Sequence, residues 1–321
     1  MNSNPEKGSV LPDSEVARLS RKLITDLEAT YQPGRDRVVT PANVHQPAVL
    51  EGQSVMEELA DRLLLAGSRV EGEENLDDCL KRLERGESVL LLPEHRGNLD
   101  ASTFHSLLRR DGRKKYEPIL TKLVYIAGRK LNESSELIKM YTEKYSRLVI
   151  VPRRDLPPPR PGEGAAEKKA RVDLEQAAAK INRAAFRQLV RLRRAGYLFV
   201  LFPLGGREKP DADNVPVRET VSYLRAFDTC YLISMEGNLL KPLPRMEDER
   251  PRQDRVVFRV GPAIGCDALL RGQRRRFEAA QASGTLEDGL DFEQFTANRI
   301  IELLTDLRRT GRFDLGFPFA P

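Results

Sequence analysis

Apolar positions change their period along the chain. Between Ser14 and Thr30, the residues Val16, Leu19, Leu23, Ile24 and Leu27 recur at helical spacing, which predicts a helix with Ser14 as its N-cap. Val55, Met56, Leu59, Leu63 and Leu64 repeat that spacing and predict a second helix from Gln53 to Ser68. Pro33, Gly34, Pro41 and Pro47 mark the stretch between them as a connector. Residues 1–13 are polar and expected to be disordered. Residues 1–73 therefore read as a small N-terminal helical module.

From residue 74 onward, short β-branched apolar runs stand at 88–92, 122–126, 147–151, 197–202, 230–234 and 255–260. Helical periodicity fills most of the gaps, at about 100–111, 134–145, 168–195 and 215–227, with a final helix near 291–309. Gly196 stops the longest of these. Such alternation predicts an α/β domain over 74–321, with a largely parallel central sheet flanked by helices. Two proline-rich stretches, 157–164 and 239–254, read as surface loops.

Composition narrows the partners without choosing one. Fifty-three Lys and Arg stand against 48 Asp and Glu, a net charge of +5. That balance suits phosphates, acidic proteins or an anionic membrane surface. No apolar run approaches the ~18 residues of a membrane span. The first residues lack a signal-peptide core. Cys79, Cys230 and Cys266 are too scattered for a zinc site or a disulfide framework. These features set the expectation of a cytoplasmic protein with no metal, able to touch a membrane peripherally. Aromatics make up 6% of the chain and are not clustered for base stacking, which argues against nucleic acid. The cluster Arg271-Gly272-Gln273-Arg274-Arg275-Arg276 reads either as a solvated helix face or as a dock for an acidic carrier protein or anionic lipid.

Candidate chemistry lies at three strand ends, where open α/β sheets place their sites. After the run 88–92 comes Pro93-Glu94-His95-Arg96-Gly97-Asn98-Leu99-Asp100. Read alone, Asp100 is an N-cap for the next helix and His95 a loop histidine. The pair also supplies a general base with an orienting carboxylate, enough to deprotonate an alcohol. After 147–151 stand Arg153 and Arg154, suited to a phosphate, followed by Asp155. After 197–202 comes Phe202-Pro203-Leu204-Gly205-Gly206-Arg207-Glu208-Lys209. Here Gly205 and Gly206 allow close backbone approach to a ligand, and Arg207 and Lys209 add positive charge. The spacing is not that of a Walker loop. Neither His45 nor His105 carries a site argument; His105 reads as structural.

Taken in order, these three loops resemble the glycerolipid acyltransferases, and most closely the soluble, chloroplast-type glycerol-3-phosphate acyltransferases. The similarity extends to Val124–Leu131, to the block from Arg194 to Asp211 and to Lys241-Pro242-Leu243-Pro244, and runs over most of residues 50–270. The resemblance implies a helical bundle before an α/β domain. It also implies acyl transfer from an acyl carrier protein or coenzyme A thioester to glycerol 3-phosphate, with no further cofactor. Carried over by position, His95 is the base and Asp100 its partner, while Arg153, Arg154, Arg207 and Lys209 hold the phosphate. Backbone N–H groups of the His95 loop are candidate oxyanion donors. Two departures stand out: Asp155 replaces a histidine of the family pattern, and Lys209 replaces an arginine. Lysophosphatidate, dihydroxyacetone phosphate or another phosphorylated alcohol remain alternative acceptors. A non-catalytic, basic membrane- or nucleic-acid-binding protein is the alternative of another class.

Overall fold

The computed structural model describes residues 10–32, 38–110, 114–133, 135–208, 214–241, 243 and 249–316. Its strands are β1 (His45–Gln46), β2 (Arg69–Glu71), β3 (Val89–Pro93), β4 (Leu123–Gly128), β5 (Arg147–Ile150) and β6 (Leu198–Val200). They continue with β7 (Thr229–Glu236), β8 (Leu240–Lys241), β9 (Arg250–Pro251), β10 (Val257–Val260) and β11 (Ile264–Gly265). The helices of the first half are α1 (Asp13–Glu28), α2 (Gln53–Leu63), α3 (Glu73–Glu84), α4 (Asp100–Arg109), α5 (Glu117–Leu120) and α6 (Glu136–Thr142). Those of the second half are α7 (Ala165–Arg194), α8 (Thr220–Leu224), α9 (Cys266–Ala282) and α10 (Phe292–Thr310).

The main sheet runs β1-β5-β4-β6-β3-β7-β10-β2, with β11 paired to β7. From β5 to β7 every neighbouring pair is parallel, while β1 adds on antiparallel to β5 and β10 antiparallel to β7, with β2 parallel to β10 at the edge. The fold is thus mixed α/β, with a mostly parallel sheet between helical layers and a helical segment at its N-terminal end. Strands buried on both faces read as continuous apolar runs, and β3 does so. Val89 and Leu91 join the core under α1 to α6, whereas Leu90 and Leu92 join the core under α7 to α10. The segment 1–73 is not purely helical, because it contributes β1 to one sheet edge and β2 to the other.

Several elements differ from the sequence expectation, beginning with α1, whose N-cap position is Pro12 and not Ser14. The helix expected over 53–68 ends at Leu63 because Leu64 turns extended and bridges Asp254. Only Thr220–Leu224 of the stretch 215–227 is helical. The polar loop 239–254 holds the hairpin of β8 and β9. The four arginines of the basic cluster on α9 are exposed, as on a solvated helix face, though three of them have partners within the chain. There Arg271 pairs with Asp267, the Arg274 guanidinium lies 3.6 Å from the centre of the Phe292 ring, and Arg276 donates to the Leu315 carbonyl. All three cysteines are buried and free. Among the described residues, no helix is long and apolar enough to cross a membrane.

Candidate active site

Neighbouring strands β3 and β6 send their chains in opposite directions. From β3 the chain passes through α4 on one face to β4; from β6 it passes through α8 on the other face to β7. Their carboxyl ends therefore flank a topological switch point, the position where α/β sheets bind ligands. The His95 loop leaves β3 there and the Phe202–Glu208 loop leaves β6.

Asp100 does not cap its helix, contrary to the simplest sequence reading. The N-cap position of α4 is Leu99, with no side-chain cap, and Asp100 is its first helical residue. Its carboxylate turns back into the loop instead. Asp100 Oδ2 accepts from Arg96 N at 2.6 Å and from Gly97 N at 3.0 Å, and lies 2.8 Å from His95 Nδ1. Because this oxygen is the acceptor for both amides, it fixes Nδ1 as the protonated nitrogen and leaves Nε2 free to take a proton. The carboxylate is 6% exposed and the imidazole 19%, so only the imidazole meets solvent appreciably. The Arg96 and Gly97 amides are committed to Asp100, which removes them as oxyanion donors.

Further contacts hold the loop from every side. The His95 ring stacks on Phe202 at 4.1 Å and 20°, and Phe202 in turn stacks on Tyr125. His95 O accepts from Glu208 N at 2.7 Å, which ties the β3 and β6 loops together. Asn238, just past β7, donates from Nδ2 to Arg96 O at 2.8 Å. Glu94 accepts from Met235 N and from Arg308 on α10, each at 2.8 Å, and burial pushes its carboxyl up.

The predicted phosphate ligands divide. Arg207 is buried at 6% exposure: Nη1 is 2.8 Å from Glu249 Oε1, and Nη2 donates to Leu243 O at 2.7 Å. Arg154 is exposed and donates to the carbonyls of Leu204 and Gly205, so it braces the glycine loop. Arg153 is exposed on the adjoining turn. Asp155 is 10% exposed and paired with Lys130 at 2.9 Å, which balances its charge. Lys209 lies outside the described residues, as do Pro242 and Pro244. Gly205 has φ of +63°, and a Cβ there would meet Val217 Cγ2 at 2.4 Å, so glycine is required. Gly206 faces open space. His105 is fully buried near Glu57 and Tyr145, in a structural setting.

Glu249 was not indicated by the sequence. A single acid in a polar loop carries no local signal, and only the β8–β9 hairpin brings it to Arg207. Its carboxyl is 1% exposed, and burial, opposed by Arg207, pushes it up to about 7.

No family model and no curated protein matches this chain. Among solved structures, the X-ray structure of the Legionella pneumophila ATPase DotB matches over 73% of this chain and 62% of that one, at 14% identity and a TM-score of 0.24. At that TM-score the likeness carries no argument about fold or function.

Proposed function

We propose that this chain is an acyltransferase that moves a fatty acyl group from a thioester carrier to the sn-1 hydroxyl of glycerol 3-phosphate, giving lysophosphatidate. One observation carries the reading. A histidine whose tautomer is fixed by a buried carboxylate stands at the switch point, beside a loop that buries an arginine. A base for a hydroxyl and a cation for a phosphate are thus on adjoining strand ends, which supports a phosphorylated alcohol as acceptor.

In this reading His95 Nε2 takes the proton of the acceptor hydroxyl as its oxygen attacks the thioester carbonyl. Asp100 stabilises the imidazolium that forms. When the tetrahedral intermediate collapses, the C–S bond breaks and the imidazolium returns its proton to the departing thiolate. Base catalysis of this kind is worth ~10²–10⁴-fold, and holding the acceptor by its phosphate adds proximity. Arg207, with Arg153 and Lys209, would supply the phosphate grip, while Arg154 holds the Gly205-Gly206 turn. No residue of the chain needs to carry the acyl group.

The test is acceptor-dependent thiol release by the purified protein, with product identified by mass spectrometry. Acyl-coenzyme A and an acyl carrier protein thioester serve as donors. Glycerol 3-phosphate, dihydroxyacetone phosphate and lysophosphatidate serve as acceptors. The expected product is 1-acylglycerol 3-phosphate. Thiol release that no phosphorylated acceptor stimulates would contradict the reading.

A further inference from the structure

A buried guanidinium needs an anion beside it, and a second anion in the same dry space is costly. Arg207 already has its anion, and the protein supplies it. Glu249 Oε1 lies 2.8 Å from Arg207 Nη1, with side-chain exposures of 1% and 3% respectively. Oε2 accepts from Asn98 Nδ2 at 3.2 Å, so the carboxyl bridges the β3 loop and the β6 loop. Among the described residues, the ionisable groups that act on it are Arg207 from the β6 loop, and His95 and Asp100 from the β3 loop. A phosphate brought to Arg207 would meet that carboxyl directly.

We propose that Glu249 selects the acceptor by competing for Arg207: ionised, it keeps a phosphate monoester off the guanidinium, and neutral, it releases Arg207 and turns its O–H toward a phosphate oxygen. The inference rests on the glycerol 3-phosphate reading and adds to it a named gate. Acceptor binding then takes up one proton from solvent onto Glu249 whenever that carboxyl starts ionised. Burial, the largest influence, and Asp100 push the group up, and Arg207 and His95 pull it down, leaving it at about 7. The gate therefore operates in the neutral range. Above pH 7 the competent, neutral fraction falls, and apparent affinity falls with it.

The test is calorimetric titration of glycerol 3-phosphate into the full chain and into its Glu249→Gln variant. The glutamine is neutral at every pH and can donate a hydrogen bond. At pH 8 the variant is expected to bind about 10-fold tighter than the wild type, and at pH 6 within about 2-fold. The second ionisation of the phosphate, near pH 6, is common to both proteins and cancels in the ratio. A measurement on the wild type alone covers the case of a poorly folded variant. At pH 8, titrations in two buffers of different ionisation enthalpy should give uptake of close to one proton per ligand. Equal affinity of the two proteins at pH 8, or binding without proton uptake, would overturn the gate. If acyl transfer to glycerol 3-phosphate persists in that case, the acyltransferase reading stands without it. If neither protein binds glycerol 3-phosphate nor acylates it, both fall.

Discussion

The imidazole of His95 lies flat against the ring of Phe202, centroids 4.1 Å apart and planes 20° from parallel. One residue leaves β3 and the other follows β6, so the stack joins two loops that approach from different parts of the sequence. It sets the ring plane of His95, while Asp100 sets the tautomer. Phe202→Ala removes the ring and leaves the Asp100 hydrogen bond intact. The expected result is a fall in kcat of roughly 10-fold, from loss of orientation, with little change in acceptor KM. Steady-state kinetics with acceptor varied would show it; an unchanged kcat would mean that Asp100 alone orients the base.

Asp100→Asn should lower kcat by ~10²–10⁴-fold with the fold retained. An amide oxygen can still accept from Arg96 N and Gly97 N, but an amide does not stabilise an imidazolium as a carboxylate does. Thermal unfolding followed alongside turnover separates this from simple loss of structure.

Gly97 sits where a Cβ would meet Asn238 Oδ1 at 2.6 Å. Gly97→Ala should therefore displace Asn238 from Arg96 O and loosen the dyad loop, costing about 1–3 kcal/mol in stability and lowering activity. The effect belongs to the pair. Added to an Asn238→Ala background, the same change should cost much less, which a double-mutant cycle measures directly.

Glu249 gives a pH-dependent stability. Its carboxyl is raised in the folded chain from the usual glutamate value of 4.5 to about 7, so the fold binds that proton more tightly than the unfolded chain does. Stability contributed by the neutral group is present below pH 4.5 and is lost as pH rises through 7. Relative to Glu249→Gln, the wild type should lose about 1.4 kcal/mol per pH unit between pH 5 and 7, and then level off. Denaturant titrations of both proteins across that range provide the check; a parallel pH dependence of the two would contradict it.

Legibility in the sequence followed the range of the interactions. Strands β3 to β7 announce themselves because burial on both faces demands unbroken apolar runs, and α7 because its inner face repeats every turn. The two-residue strand β1 has no such signature; His45 and Gln46 are strand only because β5 offers them an edge. The end of α2 was equally invisible, set by a bridge from Leu64 to Asp254 far along the chain. Within the site, His95, Asp100 and Arg207 stood out because each follows a strong strand. The turn of Asp100 away from its own helix depends on loop geometry that spacing does not encode. Glu249 depends on a hairpin contact across more than 40 residues. Arg154 looked like a ligand, yet its guanidinium is spent on the carbonyls of Leu204 and Gly205.

Everything proposed for the chemistry turns on one proton transfer at His95. The direct measurement is thiol release from an acyl thioester in the presence of glycerol 3-phosphate, comparing the wild type with His95→Ala. Acceptor-dependent turnover by the wild type and a loss of ~10²–10⁴-fold in the folded variant is the predicted result. A His95→Ala protein that keeps the wild-type rate would contradict it.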